Sequence, residues 1–156
     1  MNKKILIIGA NGFLGYNLSK KIKNIGYKIV LLCRKKNNKL KTFKQAQYIY
    51  CDINNEKKLK KKLIGNFDYV INFSGNIDHK NKHQTFKTHY GGLKTLVKVL
   101  KNKKIKIFIQ AGTSLEYGKD HSPQREKNQS KPISHYGKAK YLASKLLMNK
   151  KFFFKY

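Results

Sequence analysis

The chain has 156 residues, the size of one domain and enough to bury a core, and its 36 Lys+Arg against 7 Asp+Glu give a formal net charge of +29. That charge attracts phosphates, nucleic acid or anionic membrane. Selected nucleic-acid surfaces, however, favour arginine for bidentate contacts; here Arg34 and Arg125 are the only arginines, while lysine runs through every segment alongside abundant Asn and Ile. The charge is therefore read as compositional drift, with nucleic acid expected only through nonspecific attraction.

The chain opens with an apolar run, Lys4 to Ile8, that ends in glycines at positions 9, 12 and 15. This is the pattern of a buried strand feeding a phosphate-binding turn. Gly9 turns the chain off the strand, Gly12 leaves backbone open to a pyrophosphate, and Gly15 lets the next helix approach closely. The helix N-terminus then faces the anion. The apolar run is too short to span a membrane or to form a signal core, and no membrane partner is expected.

After the turn, Phe13, Leu14, Leu18, Ile22 and Ile25 recur at helical spacing, and Gly26 stops the helix. Lys28 to Cys33 is a second strand. A basic linker leads to a third, Gln47 to Cys51, ending at Asp52. Asn55 to Ile64 is a lysine-rich amphipathic helix with Leu59, Leu63 and Ile64 inward. Asp68 to Phe73 is a fourth strand, running into Ser74 and Gly75. A long helix is predicted over Lys82 to Asn102, a fifth strand over Ile105 to Ala111, and an irregular loop over Gly112 to Ser134. A last helix spans His135 to Lys150, and Phe152 to Tyr156 reads as the opening of a further strand. Cys33 and Cys51 end apolar runs with no Cys or His at metal-ligand spacing. They are expected to be reduced core residues in a cytoplasmic protein, with no metal bound.

Near-continuous apolar strands separated by helices imply a parallel sheet covered on both faces. With right-handed crossovers this is an α/β, doubly wound Rossmann-type sheet of order 3-2-1-4-5, one domain over residues 1–156. In such a sheet the end of the second strand reports on the cofactor: an acid there bonds the ribose hydroxyls of NAD, and a base accommodates the extra phosphate of NADP. Here Cys33, Arg34, Lys35 and Lys36 stand in those places. Arg34 therefore favours NADP over NAD.

Tyr136 and Lys140 are four residues apart on the last predicted helix, so their side chains share a face. An ammonium beside a phenol favours phenolate and is expected to lower the tyrosine pKa, making it a usable general acid or base. Thr113 and Ser114 follow the fifth strand, at the sheet edge where ligands of doubly wound folds bind, and a hydroxyl there can bond a reacting substrate oxygen.

In combination these segments resemble the extended short-chain dehydrogenase/reductases, the NAD-dependent epimerase/dehydratase family acting on nucleotide sugars. GANGFLG, which carries Asn11, Phe13 and Leu14 among its glycines, looks like the cofactor turn of that family. CDINNE resembles its adenine segment, VINFSG its fourth-strand motif, TSLEYG its Ser/Thr segment and YGKAK its Tyr-Lys pair. The resemblance implies that Asp52 and Ile53 flank the adenine, that Phe73, Ser74 and Gly75 line the cofactor, and that Lys140 also holds the nicotinamide ribose. Thr113 and Tyr136 would polarise and deprotonate a sugar hydroxyl. It further implies a helix-pair homodimer through Lys82 to Asn102 and His135 to Lys150.

Three departures qualify that picture. His89 replaces the usual asparagine, and Ser114 and Leu115 stand where dehydratases carry an Asp-Glu pair, which favours an epimerase or ketosugar reductase. Members of the family run to about twice this length, a nucleotide domain plus a substrate domain. The chain is thus expected to be the N-terminal, cofactor-binding portion, with little activity alone. The alternative is a basic nucleic-acid-binding or structural Rossmann module without catalysis.

Overall fold

The computed structural model describes residues 3–78, 80–119 and 122–148. The apolar runs form five parallel strands, β1 (Lys4–Ile8), β2 (Lys28–Cys33), β3 (Ala46–Tyr50), β4 (Tyr69–Asn72) and β5 (Ile107–Gln110), in the order β3-β2-β1-β4-β5. This is the expected Rossmann-type order. Helix α1 (Phe13–Ile22) follows β1, α2 (Glu56–Lys62) follows β3, and α5 (His135–Met148) comes last. Between β4 and β5 lie α3 (Lys82–Phe86) and α4 (Gly92–Leu100), joined by a π-helical turn at Lys87–Gly91 that interrupts the single helix expected there. Ile8 lies opposite Leu32 on one side and Asn72 on the other, and Asn72 lies opposite Gln110. The carboxyl ends of the strands therefore share one edge, from which every loop of interest emerges.

Strand alternation sorts the core into two layers. Leu6, Ile8, Val30, Leu32, Val70 and Phe108 pack with Leu59 of α2, Leu93, Leu96 and Leu100 of α4 and Ala143 and Leu147 of α5. Ile5, Ile7, Ile29, Leu31 and Cys33 face the other way, towards Tyr16, Leu18 and Ile22 of α1 and Phe43 of the basic linker. Both cysteines are free and buried. Cover on this second face is partial, contrary to expectation: Ile107 and Ile109 of β5 remain 39% and 49% exposed. Among the described helices only α1 contributes to that layer, and it sits over β1 and β2.

Periodicity overstated several burials. Phe13, Leu14 and Ile25 are exposed, and α1 turns Gly15 and Ser19 inward. Ile64 is exposed because α2 ends at Leu63, whose ψ of 73° takes the chain out of the helix towards Gly65. Asn55 caps that helix by accepting from the Lys58 amide at 3.0 Å, and Glu56 joins it to α4 through Lys98 at 2.8 Å. The stretch Phe152 to Tyr156 lies outside the described residues. No described helix is long and apolar enough to cross a membrane.

Gly9 and Gly26 have the same left-handed φ of 77° but different surroundings. A Cβ on Gly9 would lie 2.8 Å from the Phe73 carbonyl carbon, whereas one on Gly26 would meet nothing within 4 Å. Gly26→Ala should therefore cost about 1 kcal/mol, the backbone term alone, and Gly9→Ala about 3 kcal/mol or more, because β1 and β4 must also part. Urea unfolding of the two variants measures the difference.

Candidate active site

The loops at the carboxyl edge enclose a cleft of about 610 Å³, within the range of small-molecule sites. Its lining brings together Gly9, Asn11, Gly12, Arg34, Asp52, Ile53, Phe73, Ser74 and Gly75, with Lys35, Lys36, Lys39, Gln84 and Thr88. The Gly9 amide donates to the Leu32 carbonyl at 2.9 Å, and Asn11 Nδ2 donates to the Lys35 carbonyl at 2.8 Å, so the glycine turn is tied to the end of β2. Gly12 leaves the start of α1 bare of any side chain. This cradle suits a dinucleotide: backbone amides at a helix start, no Cβ in the way, and cations on the loop opposite. Phe13 and Leu14 are outside the lining, and Gly15 lies beneath the turn, where a Cβ would sit 2.8 Å from the Ala10 Cα.

The far wall is set by Asn72, a buried amide whose signal in the sequence is its place within the apolar run YVINF. Its Nδ2 donates to Gln110 Oε1 at 2.8 Å, while its Oδ1 accepts from the Ser74 amide at 3.0 Å and the Ser74 hydroxyl at 2.6 Å. One side chain thus anchors the 73–75 loop to β5. At the end of β3, Asp52 Oδ1 accepts from the Asn54 amide at 2.8 Å, and Ile53 packs on Gly92 of α4. Burial pushes the Cys33 thiol up to about 11, so this residue is an inert thiol in the core.

Beyond Gly75 the wall continues into a second group of residues. His89, buried in the π-helical turn, brings its ring so close that a Cβ on Gly75 would lie 2.9 Å from its Cε1. Its Nε2 is 3.3 Å from the Asn76 carbonyl, and its ring meets that of Tyr136 edge to face at 4.9 Å. Tyr136 and Lys140 are outside the cleft lining, and His89 bridges them to it. Helix α5 sets Tyr136 against the turn that Thr113 caps. Gly137 makes that approach possible, since a Cβ there would lie 2.5 Å from the Leu115 carbonyl oxygen in the 3-10 turn Ser114–Glu116.

The electrostatics differ from the sequence expectation. Burial pushes the Tyr136 phenol above its ordinary value, the Thr113 side chain opposes that, and the Glu116 charge adds to it. The expected lowering by Lys140 is not what the geometry produces: the Lys140 ammonium donates to the Ala111 carbonyl and stands 6.0 Å from the Tyr136 ring centre. Lys140 is itself held below its ordinary value by burial, with Glu116 opposing. Glu116 is the second residue that sequence reasoning passed over; its signal is the Thr-x-x-Glu spacing of a capping box. It also lines a separate cavity of about 650 Å³, together with Thr113, Ser114 and Tyr117.

Replacing Asn72 with Leu keeps the volume but leaves the Ser74 and Gln110 groups without their partner. A loss of about 2–3 kcal/mol is expected. Urea unfolding, with faster hydrogen exchange at the Ser74 amide, is the check.

A model of the NAD dependent epimerase/dehydratase family matches residues 5–151. No curated protein matches the chain. Among solved structures, the ADP-L-glycero-D-manno-heptose-6-epimerase of Helicobacter pylori superposes with a TM-score of 0.79 at 27% identity, over 95% of this chain and 51% of that one. The enzyme WbmG of Bordetella bronchiseptica, in complex with NAD, gives 0.85 at 20% identity, over 99% and 52%. The UDP-glucose 4-epimerase of Thermotoga maritima, with UDP-glucose, gives 0.84 at 24% identity, over 94% and 50%. The last two likenesses are likenesses of fold. The chain spans about half the length of each of these structures.

Proposed function

This chain belongs to the NAD dependent epimerase/dehydratase family, and on that premise we propose that it is the cofactor-binding part of a nucleotide-sugar epimerase or ketosugar reductase. The observation that carries the reading is the contact of the Tyr136 ring with His89 at 4.9 Å, with Lys140 one helical turn on, at the wall of a glycine cradle built for a dinucleotide. Gly9, Asn11 and Gly12 would receive the diphosphate, Asp52 and Ile53 the adenine end, and Phe73, Ser74 and Gly75 the nicotinamide half. Bound there, the nicotinamide would accept or return a hydride. Tyr136 would take or give the proton of a sugar hydroxyl, with the Thr113 hydroxyl orienting that oxygen. Lys140, already beside the cluster, would swing from the Ala111 carbonyl to the ribose. Leu115, where dehydratases carry an acid, is apolar and half exposed, which supports the epimerase or reductase reading over a dehydratase. The same reading takes the surface of α3–α4 and α5 as a homodimer face, supported by the part-exposed Leu142.

In a preparation that turns over a nucleotide sugar, Tyr136→Phe should cost at least about a hundredfold in kcat while leaving the cofactor Kd within about twofold. Lys140→Met should worsen both. Full turnover by Tyr136→Phe would place the acid/base group elsewhere.

For the cofactor we read NADP. Cys33 is buried in the α1-side layer, so the first side chain free to meet the adenosine ribose is that of Arg34, which is exposed and lines the cleft. Calorimetry should find NADP bound more tightly than NAD, and Arg34→Asp should reverse the order by placing an acid against the ribose hydroxyls. Equal dissociation constants in the unaltered chain would refute the preference.

A further inference from the structure

Glu116 is an unusual residue for this chain to bury. The sequence has only 7 acidic residues, yet this one is 8% exposed. Its Oε1 accepts from the Thr113 amide at 2.9 Å, while Thr113 Oγ1 accepts from the Leu115 amide at 3.4 Å, closing a reciprocal cap around the turn. The carboxylate lies so far inward that a Cβ on Gly112 would be 3.1 Å from it.

A glutamine would close the same cap, and burying a carboxylate is costly unless a compensating charge is near. The Lys140 ammonium on α5 bonds the Ala111 carbonyl, one residue before the Gly112 against which the carboxylate lies. We propose that Glu116 is a positioning residue of the Thr113–Tyr136–Lys140 cluster: its buried carboxylate holds the Thr113 backbone and is the fixed negative charge on the turn against which the helix of Tyr136 and Lys140 packs. The proposal rests on the reading of Tyr136 as the acid/base group. The directions of titration agree with it, since Glu116 favours the charged form of Lys140 and disfavours the charged form of Tyr136. It thereby keeps a proton on each of the two groups. His89 faces Tyr136 from the π-helical turn, and Tyr117, Glu126, Tyr141 and Lys145 share the second cavity with Glu116. These are the other ionisable groups against which its charge acts.

The test is a 13Cζ-tyrosine NMR titration of the 156-residue chain, with the Tyr136 signal identified by its loss in Tyr136→Phe. Glu116→Gln keeps the cap acceptor and removes the charge. It should move the Tyr136 midpoint to lower pH while leaving Tm unchanged. Glu116→Ala should give the same movement and also lower Tm by about 2–4 °C, through loss of the cap. Glu116→Asp, which retains a charge at the position, should bring the midpoint back towards that of the unaltered chain. An unmoved midpoint in Glu116→Gln would reduce Glu116 to a cap and overturn the proposal. Turnover by Tyr136→Phe would sink the acid/base reading instead, and the titration would still decide on Glu116.

Discussion

The close approach of the glycine turn to the end of β4 is the constraint on which the remaining geometry depends. Gly9 has a left-handed φ and no room for a side chain against the Phe73 carbonyl and the Ser74 amide. Because β1 and β4 are neighbours in parallel register, their carboxyl ends meet there, and the cleft opens between the loops that leave them. Gly15 brings α1 down onto the turn, and Asn72 ties the departing Phe73–Gly75 loop to β5. A side chain at Gly9 would separate the two strands, and with them the walls of the cleft.

From this edge a chain of contacts leads to the ionisable group. Gly75 admits the His89 ring, His89 meets Tyr136, α5 sets Tyr136 against the turn that Thr113 caps, and Glu116 holds the Thr113 backbone. The π-helical turn at Lys87–Gly91 sits in the middle of that path, and turns of this kind often mark functional sites because the extra residue re-aims a side chain. Here the side chain re-aimed is His89. Gly137 does the same work from the other side by letting α5 rest on the turn that carries Leu115 and Glu116. Two loops and two helices thus converge on one phenol, with Gly75 and Gly137 too small to keep their neighbours away.

The sheet is less symmetric than the site. On one face α2, α4 and α5 cover the strands, while on the other α1 alone among the described helices contributes, and Ile107 and Ile109 are left half exposed. Exposed β-branched residues on an outermost strand invite association through backbone groups. The net charge of +29 opposes such association, and salt weakens that opposition.

Local pattern was enough for much of this. Strand and helix types follow from periods of two and 3.6, the parallel order follows from right-handed crossovers, and Gly9, Gly12, Asp52 and Gly75 could be placed at one sheet edge because each directly follows a strand or its turn. Helical periodicity names an apolar stripe without naming what covers it, which is why Phe13, Leu14, Ile25 and Ile64 proved exposed. The ionisation of Tyr136 could not be read from its spacing to Lys140, because that spacing fixes a shared helix face and leaves open where a long, flexible ammonium will bond. It bonds Ala111, just past the end of β5 and remote in sequence. Asn72 and Glu116 were hidden for the same reason: each is an ordinary polar residue locally and becomes structural only when β5 lies beside β4 and α5 settles on the turn after it. The sequence by itself determined the sheet, its order and the loops at its edge, since these depend on neighbours along the chain. Only the tertiary structure decided burial, hydrogen-bond partners and charge at the phenol, since these depend on groups brought together from separate elements.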